Sequence, residues 1–594
     1  MASIWWHGCF ICLLTSLVVG REEFHEELYI KPFPSGDVLT YFQFTTLWSE
    51  DIRDKNSFSH YNLFPKSLGQ IVTKYSVEEL HLSLTQGFWN AYLWDNAMQP
   101  ASPGAELAVW FQDKVLLRVD KEWSGLTNAL SGQFCASLNF IKPENTASPN
   151  ISFRRRGLTS SIYNDSQTLR YASLPGEIVC TENLTPWKKL LPCNSKSGLS
   201  SLLNSLLIYK VKYHSMSIHL RTICEDADCQ LPLLELQQTM SIVTDPVVRS
   251  GSNDWSLRKL FGHPLRSSCP LATTSQVFID VTENDTDNNF SLKPKPTRFI
   301  SKSDEELNRQ FAVYNLKGTG KVPKLLTSDS GFNPTLKWQK RSKQAKPPSF
   351  FVHRFLTGYG EEHAGIQCEM RNHHKMASIK IVYFQILPWH FRVYLHTLRV
   401  RINDVNIKPE YIDFVPSRDR ERPTKLEIVL TVPPDSIVTV KMEFDRVFLK
   451  WTEHPPDAHH GFYLPSGVIT AKLVPNGDSN RSGLSTDYGS LLSQSLQSTK
   501  TDDNLIRIYT EVLLVSLPTP DFSMPYNVIC LTCTVVAIAF GSLYNLSTKR
   551  LQEVPPGEPT TLLGKIKQKL SRLKERIIPS TKSGNKPKKE KKND

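Results

Sequence analysis

The chain has 594 residues and a formal net charge of +12. After residue 545, fourteen Lys/Arg stand against five Asp/Glu, so +9 of this charge belongs to the C-terminal tail. The rest of the chain is therefore close to neutral, and attraction of the tail to anionic lipid headgroups accounts for the basic excess better than binding to nucleic acid does. The length excludes a single hydrophobic core and predicts roughly two or three domains ahead of the tail.

Residues 1–20 form an apolar run without an acidic residue, ending in Val18-Val19-Gly20 before Arg21-Glu22-Glu23. A hydrophobic stretch that stops at a small residue and then turns polar is typical of a signal peptide. We therefore predict that the mature chain begins near Arg21 and enters the secretory pathway.

Strand signals dominate between residues 21 and 520. β-branched and aromatic residues are concentrated in residues 38–48, 378–402 and 426–451, and the last stretch alternates around a Pro-Pro-Asp-Ser turn, which is typical of a hairpin. Two weaker patterns, at residues 77–85 and 233–240, favour short helices. The predicted fold class is mainly β, with sandwich-like lumenal domains followed by one transmembrane helix.

Two polar stretches divide this region. Residues 332–349 combine proline with a basic run, and residues 476–504 are rich in Ser, Gly and Asp, as is common in linkers. We expect a lumenal β-rich domain at residues 21–245, a variable lumenal segment at 246–345 and a second β-sandwich domain at 346–520.

Residues 526–545 carry no charged side chain. At a rise of about 1.5 Å per residue, a helix of this length spans the hydrocarbon core of about 30 Å. Tyr526 and Tyr544 lie at its two ends, and Lys549 and Arg550 follow directly. The positive charge predicts a cytosolic C-terminus and therefore a single-pass, type I protein.

The basic cytosolic tail, residues 546–594, contains apolar residues mostly at three- and four-residue steps: Leu562, Leu563, Ile566, Leu570, Leu573 and Ile577. This spacing predicts an amphipathic helix on the cytosolic leaflet, with a merely solvated basic tail as the alternative. The last four residues, 591–594, read KKND and resemble the dilysine retrieval signal of the endoplasmic reticulum.

Six N-x-S/T sequons lie in the predicted lumenal part and are candidates for N-glycosylation: Asn150, Asn164, Asn183, Asn284, Asn289 and Asn480. Asn183 is the poorest acceptor among them, because Pro186 directly follows Thr185.

Seven cysteines remain in the predicted lumenal part: Cys135, Cys180, Cys193, Cys224, Cys229, Cys269 and Cys368. An oxidising lumen favours disulfides over zinc thiolates, and Cys224 and Cys229 have no matching second pair for zinc. Because seven is odd, at least one thiol is free or bonded to another chain. A bond between Cys180 and Cys193 stays open as an internal alternative.

The sequence contains no motif that carries catalysis. HExxH, GxSxG and an intact GxxxxGK[ST] do not occur, and no nucleophile–base pair can be proposed. We therefore predict no catalytic residue, no metal site and no cofactor, which disfavours an amidase.

Four blocks of sequence resemble the PIG-T family, subunits of the glycosylphosphatidylinositol (GPI) transamidase of the endoplasmic reticulum membrane: residues 21–44, 180–193, 449–463 and 517–537. The resemblance implies a non-catalytic structural subunit that stabilises a separate caspase-like catalytic subunit. In that subunit a thiolate attacks the precursor's peptide carbonyl, and the anchor's amine then resolves the thioester.

The resemblance also implies partners and bonds. Cys180 matches the family's cysteine that forms a disulfide with the caspase-like subunit. The other expected partners are the remaining membrane subunits, the GPI lipid and the precursor protein. Five cysteines are then candidates for intrachain disulfides: Cys135, Cys193, Cys224, Cys229 and Cys269. Cys368 does not belong to the family pattern, and an unpaired, buried thiol is the interpretation that it suggests.

The entry to the membrane span is a candidate substrate-facing segment. Because Pro518, Pro520 and Pro525 surround it, we expect an extended chain there. Our hypothesis is that this segment and the loop at residues 460–463 face GPI and precursor through His460, Phe462, Tyr463, Phe522, Tyr526 and Asn527. Simple interfacial anchoring is the alternative.

The alternative function for the whole protein is that of a type I cargo or lectin-like receptor of the endoplasmic reticulum. Such a receptor would not copurify with a caspase-like subunit.

Overall fold

The computed structural model of the chain describes residues 22–54, 57–155, 165–224, 232–252, 254–282, 289–303, 308–317, 331–340, 348–358, 363–455, 457, 459–473, 505–519, 523–550 and 561–577. The predicted signal peptide lies outside these residues. The chain forms two compact units, Met1–Thr519 and Pro520–Asp594. Every strand that the structure describes belongs to the first unit.

The first unit is built on an eleven-stranded sheet. Its strands are β1 (Glu22–Pro32), β2 (Val38–Trp48), β3 (Val77–Gln86), β4 (Gly104–Phe111), β5 (Thr146–Ala147), β6 (Leu169–Leu174), β7 (Tyr213–Cys224), β8 (Pro232–Thr244), β10 (Thr274–Asp280), β12 (Arg298–Ser303) and β13 (Asn308–Asn315). Their order is β12-β13-β10-β1-β2-β8-β7-β3-β4-β6-β5. β1 pairs in parallel with β10, so the sheet continues across the boundary expected at residue 245. A small sheet of β9 (Trp255–Ser256), β11 (Asn289–Lys293) and β14 (Thr335–Lys340) lies in the expected variable segment.

Residues 77–85 and 233–240 belong to β3 and β8, so the prediction of short helices there was wrong. Leu80, Leu82 and Leu84 alternate along β3, and all three enter one hydrophobic core. A period of two suits a strand rather than a helix. The two strands also gain paired neighbours on both sides, which outweighs their weak helical signals.

Helices pack against this sheet, most of them in the core that contains Leu28 and Phe42, whereas Trp94 packs in the core on the opposite face. They are α1 (Lys66–Lys74), α2 (Ala91–Trp94), α3 (Val119–Phe134), α4 (Asp165–Thr168), α5 (Thr181–Lys189), α6 (Ser205–Ile208), α7 (Pro246–Ser250) and α8 (Leu257–Phe261). Trp123, Leu126 and Leu130 of α3 recur at helical spacing and join the core that β3 lines. The longest helix of the unit therefore packs onto the sheet through one apolar face.

A β-sandwich follows, and the mainly β class is confirmed. One of its sheets contains β15 (Phe350–Thr357), β16 (His363–Asn372), β18 (Phe391–Ile402), β19 (Val405–Ile407) and β22 (Ser436–Arg446). The other contains β17 (Ile379–Leu387), β20 (Tyr411–Val415), β21 (Thr424–Val432), β24 (Val468–Leu473) and β25 (Leu505–Tyr509). Alternate side chains of both sheets form one buried core. A separate pair joins β23 (Phe462–Leu464) to β26 (Leu513–Val515).

The sandwich and the eleven-stranded sheet meet along a seam centred on residues 150–153 and Glu427 of β21. The buried Glu427 carboxylate accepts hydrogen bonds from the backbone N–H groups of residues 150, 151 and 152, at 2.8, 3.1 and 2.9 Å. The Phe153 ring packs 5.6 Å from that of Phe384 on β17. A buried carboxylate satisfied by three amides and an aromatic contact fixes the two β regions to each other.

In the described part of the second unit there are two helices, α9 (Ser523–Thr548) and α10 (Leu562–Ile577). Among the described residues, Tyr526–Thr548 of α9 is the single stretch long and apolar enough to span a membrane. The chain was expected to be extended around Pro518, Pro520 and Pro525. Residues 517–519 lie outside any helix, but α9 begins at Ser523, so the prediction was wrong at Pro525. Proline is tolerated in the first turn, because its missing N–H would have no partner within the helix there.

Candidate functional site

Cys180 lies immediately before α5, and its thiol is half-buried and not paired within the chain. Its backbone is extended, with φ −143° and ψ −175°, and the next residue starts the helix. An extended residue at a helix N-terminus is the usual capping geometry. One of the unpaired thiols implied by the odd number of cysteines is therefore held at the N-terminus of a regular helix.

Asn183 fixes the backbone around Cys180. Its side-chain Oδ1 accepts a hydrogen bond of 2.8 Å from the Cys180 N–H. Its Nδ2 donates to the carbonyls of Phe134 and Cys135, at 3.0 and 2.9 Å. One buried amide thus joins the end of α3 to the start of α5, and brings the backbones of Cys135 and Cys180 together.

The loop before Cys180 is also tied to α3. Cys135 ends that helix in the left-handed conformation, with φ 51° and ψ 38°. The side chain of Glu177 accepts a 2.9 Å hydrogen bond from the N–H of Ser137, just beyond this turn. The loop therefore has a fixed attachment on each side of residue 178.

Tyr209, which follows α6, holds the carbonyl of Cys180. Its hydroxyl donates a hydrogen bond of 2.5 Å to that oxygen. Burial, and to a lesser extent the nearby Cys180, raises the pKa of Tyr209 well above its ordinary value. The hydroxyl is therefore protonated and able to donate throughout the neutral range.

The other end of α5 is anchored covalently. Cys193 forms a disulfide with Cys269, so two of the five candidates for intrachain bonds are paired with each other. The structure thus places Cys193 in a bond other than the alternative one with Cys180. Trp187 of α5 is buried and its indole donates to the carbonyl of Ser217, at 3.2 Å.

Large apolar side chains are exposed on the elements that meet around Cys180. Phe140 is 61% exposed, Ile178 81% and Leu206 74%. Ile178 lies two residues before Cys180, Leu206 lies on the helix that Tyr209 follows, and Phe140 lies just beyond α3. We call these three residues the apolar rim. Large apolar side chains left exposed are typical of surfaces that contact another protein.

The predicted substrate-facing loop at residues 460–463 adjoins the Cys180 loop. A Cβ placed on Gly176 would lie only 3.4 Å from the Tyr463 ring, so this ring packs directly against the glycine. Tyr463 and His460 are hydrogen-bonded to each other at 2.8 Å. Gly461 has φ +88°, and a Cβ there would lie 2.7 Å from the Val515 carbonyl oxygen, so the turn requires glycine.

Phe462, the third predicted residue of this loop, points to a histidine. Its ring lies 4.8 Å from that of His390. Burial lowers the pKa of His390 to about 4, so this imidazole is neutral at physiological pH. A neutral imidazole against a phenyl ring is a packing contact.

The remaining predicted substrate-facing residues belong to the second unit or fall outside the described residues. Tyr526 and Asn527 are exposed residues of α9, and Phe522 lies outside the described part. Within that part, no group of three His, Cys, Asp or Glu residues is arranged to hold a metal ion.

The other cysteines and the sequons have varied surroundings. Cys135 is exposed, Cys368 is buried in β16, and Cys224 ends β7, whereas Cys229 lies outside the described residues.

The six candidate glycosylation sites also differ in their surroundings. Asn150 is exposed, and Asn289 begins β11. Three sequons lie outside the described residues: Asn164, Asn284 and Asn480. Asn183 is buried, and both hydrogens of its amide are used in bonds that a glycan on this nitrogen would disturb.

Sequence reasoning missed the residues that hold Cys180. Asn183 was interpreted only as part of a sequon, although an asparagine three positions after an extended residue is also a capping signal. Tyr209 and Gly176 act through contacts that are distant in sequence, and no local pattern marks them.

The sequence matches the Gpi16 family, described as "Gpi16 subunit, GPI transamidase component", over residues 8–254 and 246–577. These ranges include both β regions and both helices of the second unit. The match therefore applies to the Cys180 region as well as to the loop at residues 460–463.

Relatives from animals and fungi are similar over most of their length. The chain is 43% identical over 533 residues to the GPI-anchor transamidase component PIGT of Homo sapiens, covering 89% of this chain and 90% of that protein. Identity to the same component of Mus musculus is 44% over 558 residues, covering 91% and 94%. Identity to the GPI transamidase component GPI16 of Saccharomyces cerevisiae is 31% over 603 residues, covering 93% of each chain.

Proposed function

Because the chain belongs to the Gpi16 family of GPI transamidase components, we propose that it is the non-catalytic structural subunit of such a complex. In this role it stabilises the caspase-like catalytic subunit, partly through an interchain disulfide from Cys180. It also helps to position the precursor protein and GPI. We further propose that it is a single-pass, type I protein of the endoplasmic reticulum membrane.

The observation that carries this proposal is the setting of Cys180. Its backbone is held by Asn183 and Tyr209 at distances of 2.8 and 2.5 Å, while its thiol is half-buried and unpaired within the chain. The apolar rim around it supplies surface that a partner can cover. A disulfide forms when two thiols lose two electrons and two protons, and the oxidising lumen accepts these. A preset backbone lowers the entropy cost of placing the two sulfurs.

The position of the loop at residues 460–463, close to the Cys180 loop, supports the proposed role in positioning GPI and precursor. Tyr463 packs on Gly176, four residues before Cys180. A catalytic subunit joined at Cys180 therefore has its attachment point next to the loop that we propose faces GPI and precursor. Attachment and substrate positioning would then share one small surface.

Non-reducing electrophoresis of the purified complex tests the bridge. Cys180→Ser should remove a covalent heterodimer band, while the subunits still copurify through non-covalent contacts and activity falls without vanishing. Cys135→Ser is the matched control, because the same asparagine holds both backbones and Cys135 is the more exposed thiol. A heterodimer band that survives Cys180→Ser, or disappears with Cys135→Ser, would contradict the assignment.

The non-catalytic role has its own test. If this chain supplies no nucleophile or base, no single Cys or His substitution that leaves the complex assembled should lower the rate by about 10⁴-fold, as loss of a catalytic residue does. His460→Ala and Cys180→Ser are the informative variants, since both lie at the proposed site. A fully inactive but intact complex with either variant would overturn this part of the proposal.

A further inference from the structure

The helix α10 near the C-terminus has a continuous apolar face. With about 100° between successive residues, five of its side chains fall within an arc of roughly 100°: Leu562, Leu563, Ile566, Leu570 and Leu573. All five are exposed in the structure. A helix with this much uncovered apolar surface requires a partner or a lipid surface to cover it.

The basic residues of α10 flank this arc on both sides. Lys567 and Lys574 follow one edge, while Lys565, Lys569 and Arg572 lie beyond the other. The face opposite the arc carries three uncharged residues, Gly564, Gln568 and Ser571, together with one acidic residue, Glu575. Lysine and arginine at both edges can extend their charged ends to lipid headgroups while the apolar arc enters the acyl region.

Two further features point to a membrane surface as the cover. Glu575 is the only acidic residue between Leu562 and Ile577, so an anionic surface meets almost no repulsion. The candidate membrane span ends at Thr548 and α10 begins at Leu562. This connection extends at most about 50 Å, so α10 cannot move far from the bilayer that α9 would cross.

We propose that α10 lies flat on the membrane, with its apolar arc between the headgroups of an anionic leaflet. Each basic residue near such a surface strengthens binding about fivefold. An isolated helix of this length is marginally stable in water, and the lipid surface would therefore also stabilise its folded state. This inference is independent of the role proposed for Cys180.

Hydrogen exchange of the full-length chain, purified with its accompanying subunits, tests the proposal. The complex is reconstituted in nanodiscs of phosphatidylcholine alone, or of phosphatidylcholine mixed with phosphatidylserine. Because docking protects helical amides that otherwise exchange quickly, residues 562–577 should exchange about tenfold or more slowly on the anionic discs than on the neutral ones. High salt should remove this difference.

Two neighbouring substitutions form a matched pair. Leu570→Gln places an amide in the apolar arc and should reduce the protection several-fold, whereas Ser571→Gln on the opposite face should leave it unchanged. Both variants keep a good helix former at the substituted position. Equal exchange on neutral and anionic discs, or equal effects of the two variants, would overturn the proposal. Protection that persists in neutral detergent would also overturn it, because it would identify a protein rather than lipid as the cover.

Discussion

Two unpaired cysteines, Cys180 and Cys368, lie in regions that are stabilised in opposite ways. Around Cys180 the chain is irregular, and side-chain hydrogen bonds and a nearby disulfide hold it. Around Cys368 the chain is a regular strand, β16, paired on both sides inside the sandwich. The first region leaves its thiol half-buried, and the second buries it completely.

The difference teaches that the surroundings of a cysteine, rather than the number of cysteines, indicate its role. Burial raises the pKa of the Cys368 thiol to about 12, so it remains a neutral, apolar core group. Cys180, in contrast, lies on a fixed backbone beside the apolar rim. The odd count therefore does not by itself indicate an interchain bond, since Cys135, Cys180 and Cys368 are all unpaired within the chain.

The largest expected effect concerns the covalent anchor of the Cys180 region. The Cys193–Cys269 bond joins residues 76 positions apart, and in the chain-entropy description a loop of this length contributes about 4 kcal/mol. The variant Cys193→Ala with Cys269→Ala should therefore lower the thermal unfolding midpoint clearly. Cys368→Ala, which removes no bond, is the control. An unchanged midpoint would mean that hydrogen bonds alone hold α5.

Alkylation of the native chain separates the two kinds of thiol directly. At pH 8, a pKa of about 12 leaves Cys368 with roughly a thousandfold less thiolate than its ordinary value of 9.0. Iodoacetamide should therefore label Cys368 only after unfolding, with the exposed Cys135 as the internal reference. Mass spectrometry of the labelled peptides measures both rates. Equal labelling rates of Cys368 and Cys135 in the folded chain would contradict the proposed difference between buried and accessible thiols.

In the sandwich, a buried arginine beside Cys368 makes side-chain hydrogen bonds to the backbone, as Asn183 and Tyr209 do around Cys180. Arg354 pairs in register with Cys368, is 1% exposed, and donates to the carbonyls of Pro465 and Glu511, at 2.8 and 2.5 Å. Arg354→Met would remove both hydrogen bonds from this buried site and should cost about 3 kcal/mol of unfolding free energy. Arg371→Met, at an exposed position of β16, should change the unfolding midpoint little.

The smallest expected effect comes from Asn183. Asn183→Ala removes three hydrogen bonds and should lower the free energy of unfolding by about 2 kcal/mol. It should also weaken the proposed interchain bond at Cys180. Thr185→Ala is a close control, because it destroys the same sequon but leaves the Asn183 amide in place. If both variants behave alike, the sequon rather than the hydrogen bonds would be responsible.

Much of the fold could be predicted from sequence, because it rests on local patterns. The alternation in residues 38–48 and 426–451 identifies strands, and the uncharged stretch at residues 526–545 identifies a candidate span. The parallel pairing of β1 with β10 could not be predicted, since no local signal indicates which distant strand a sheet edge will accept.

The Cys180 site was predictable in part. Its cysteine came from the resemblance to PIG-T, which the comparisons confirm at the level of the family. The geometry around it depends on Asn183, Tyr209 and Gly176, whose contacts reach 49, 29 and 287 residues along the chain. Such contacts depend on the finished packing, and local patterns cannot supply them.

The seam between the two β regions has a consequence for the order of synthesis. Ser152 bonds to Glu427, which is made 275 residues later. At roughly 5–20 residues per second, a ribosome needs about 14–55 s to cover that distance. During this time the nascent chain presents the amides of residues 150–152 and the ring of Phe153 without the surface that will later cover them. The newly made N-terminal part is therefore exposed to misassembly at the place where the sandwich will dock.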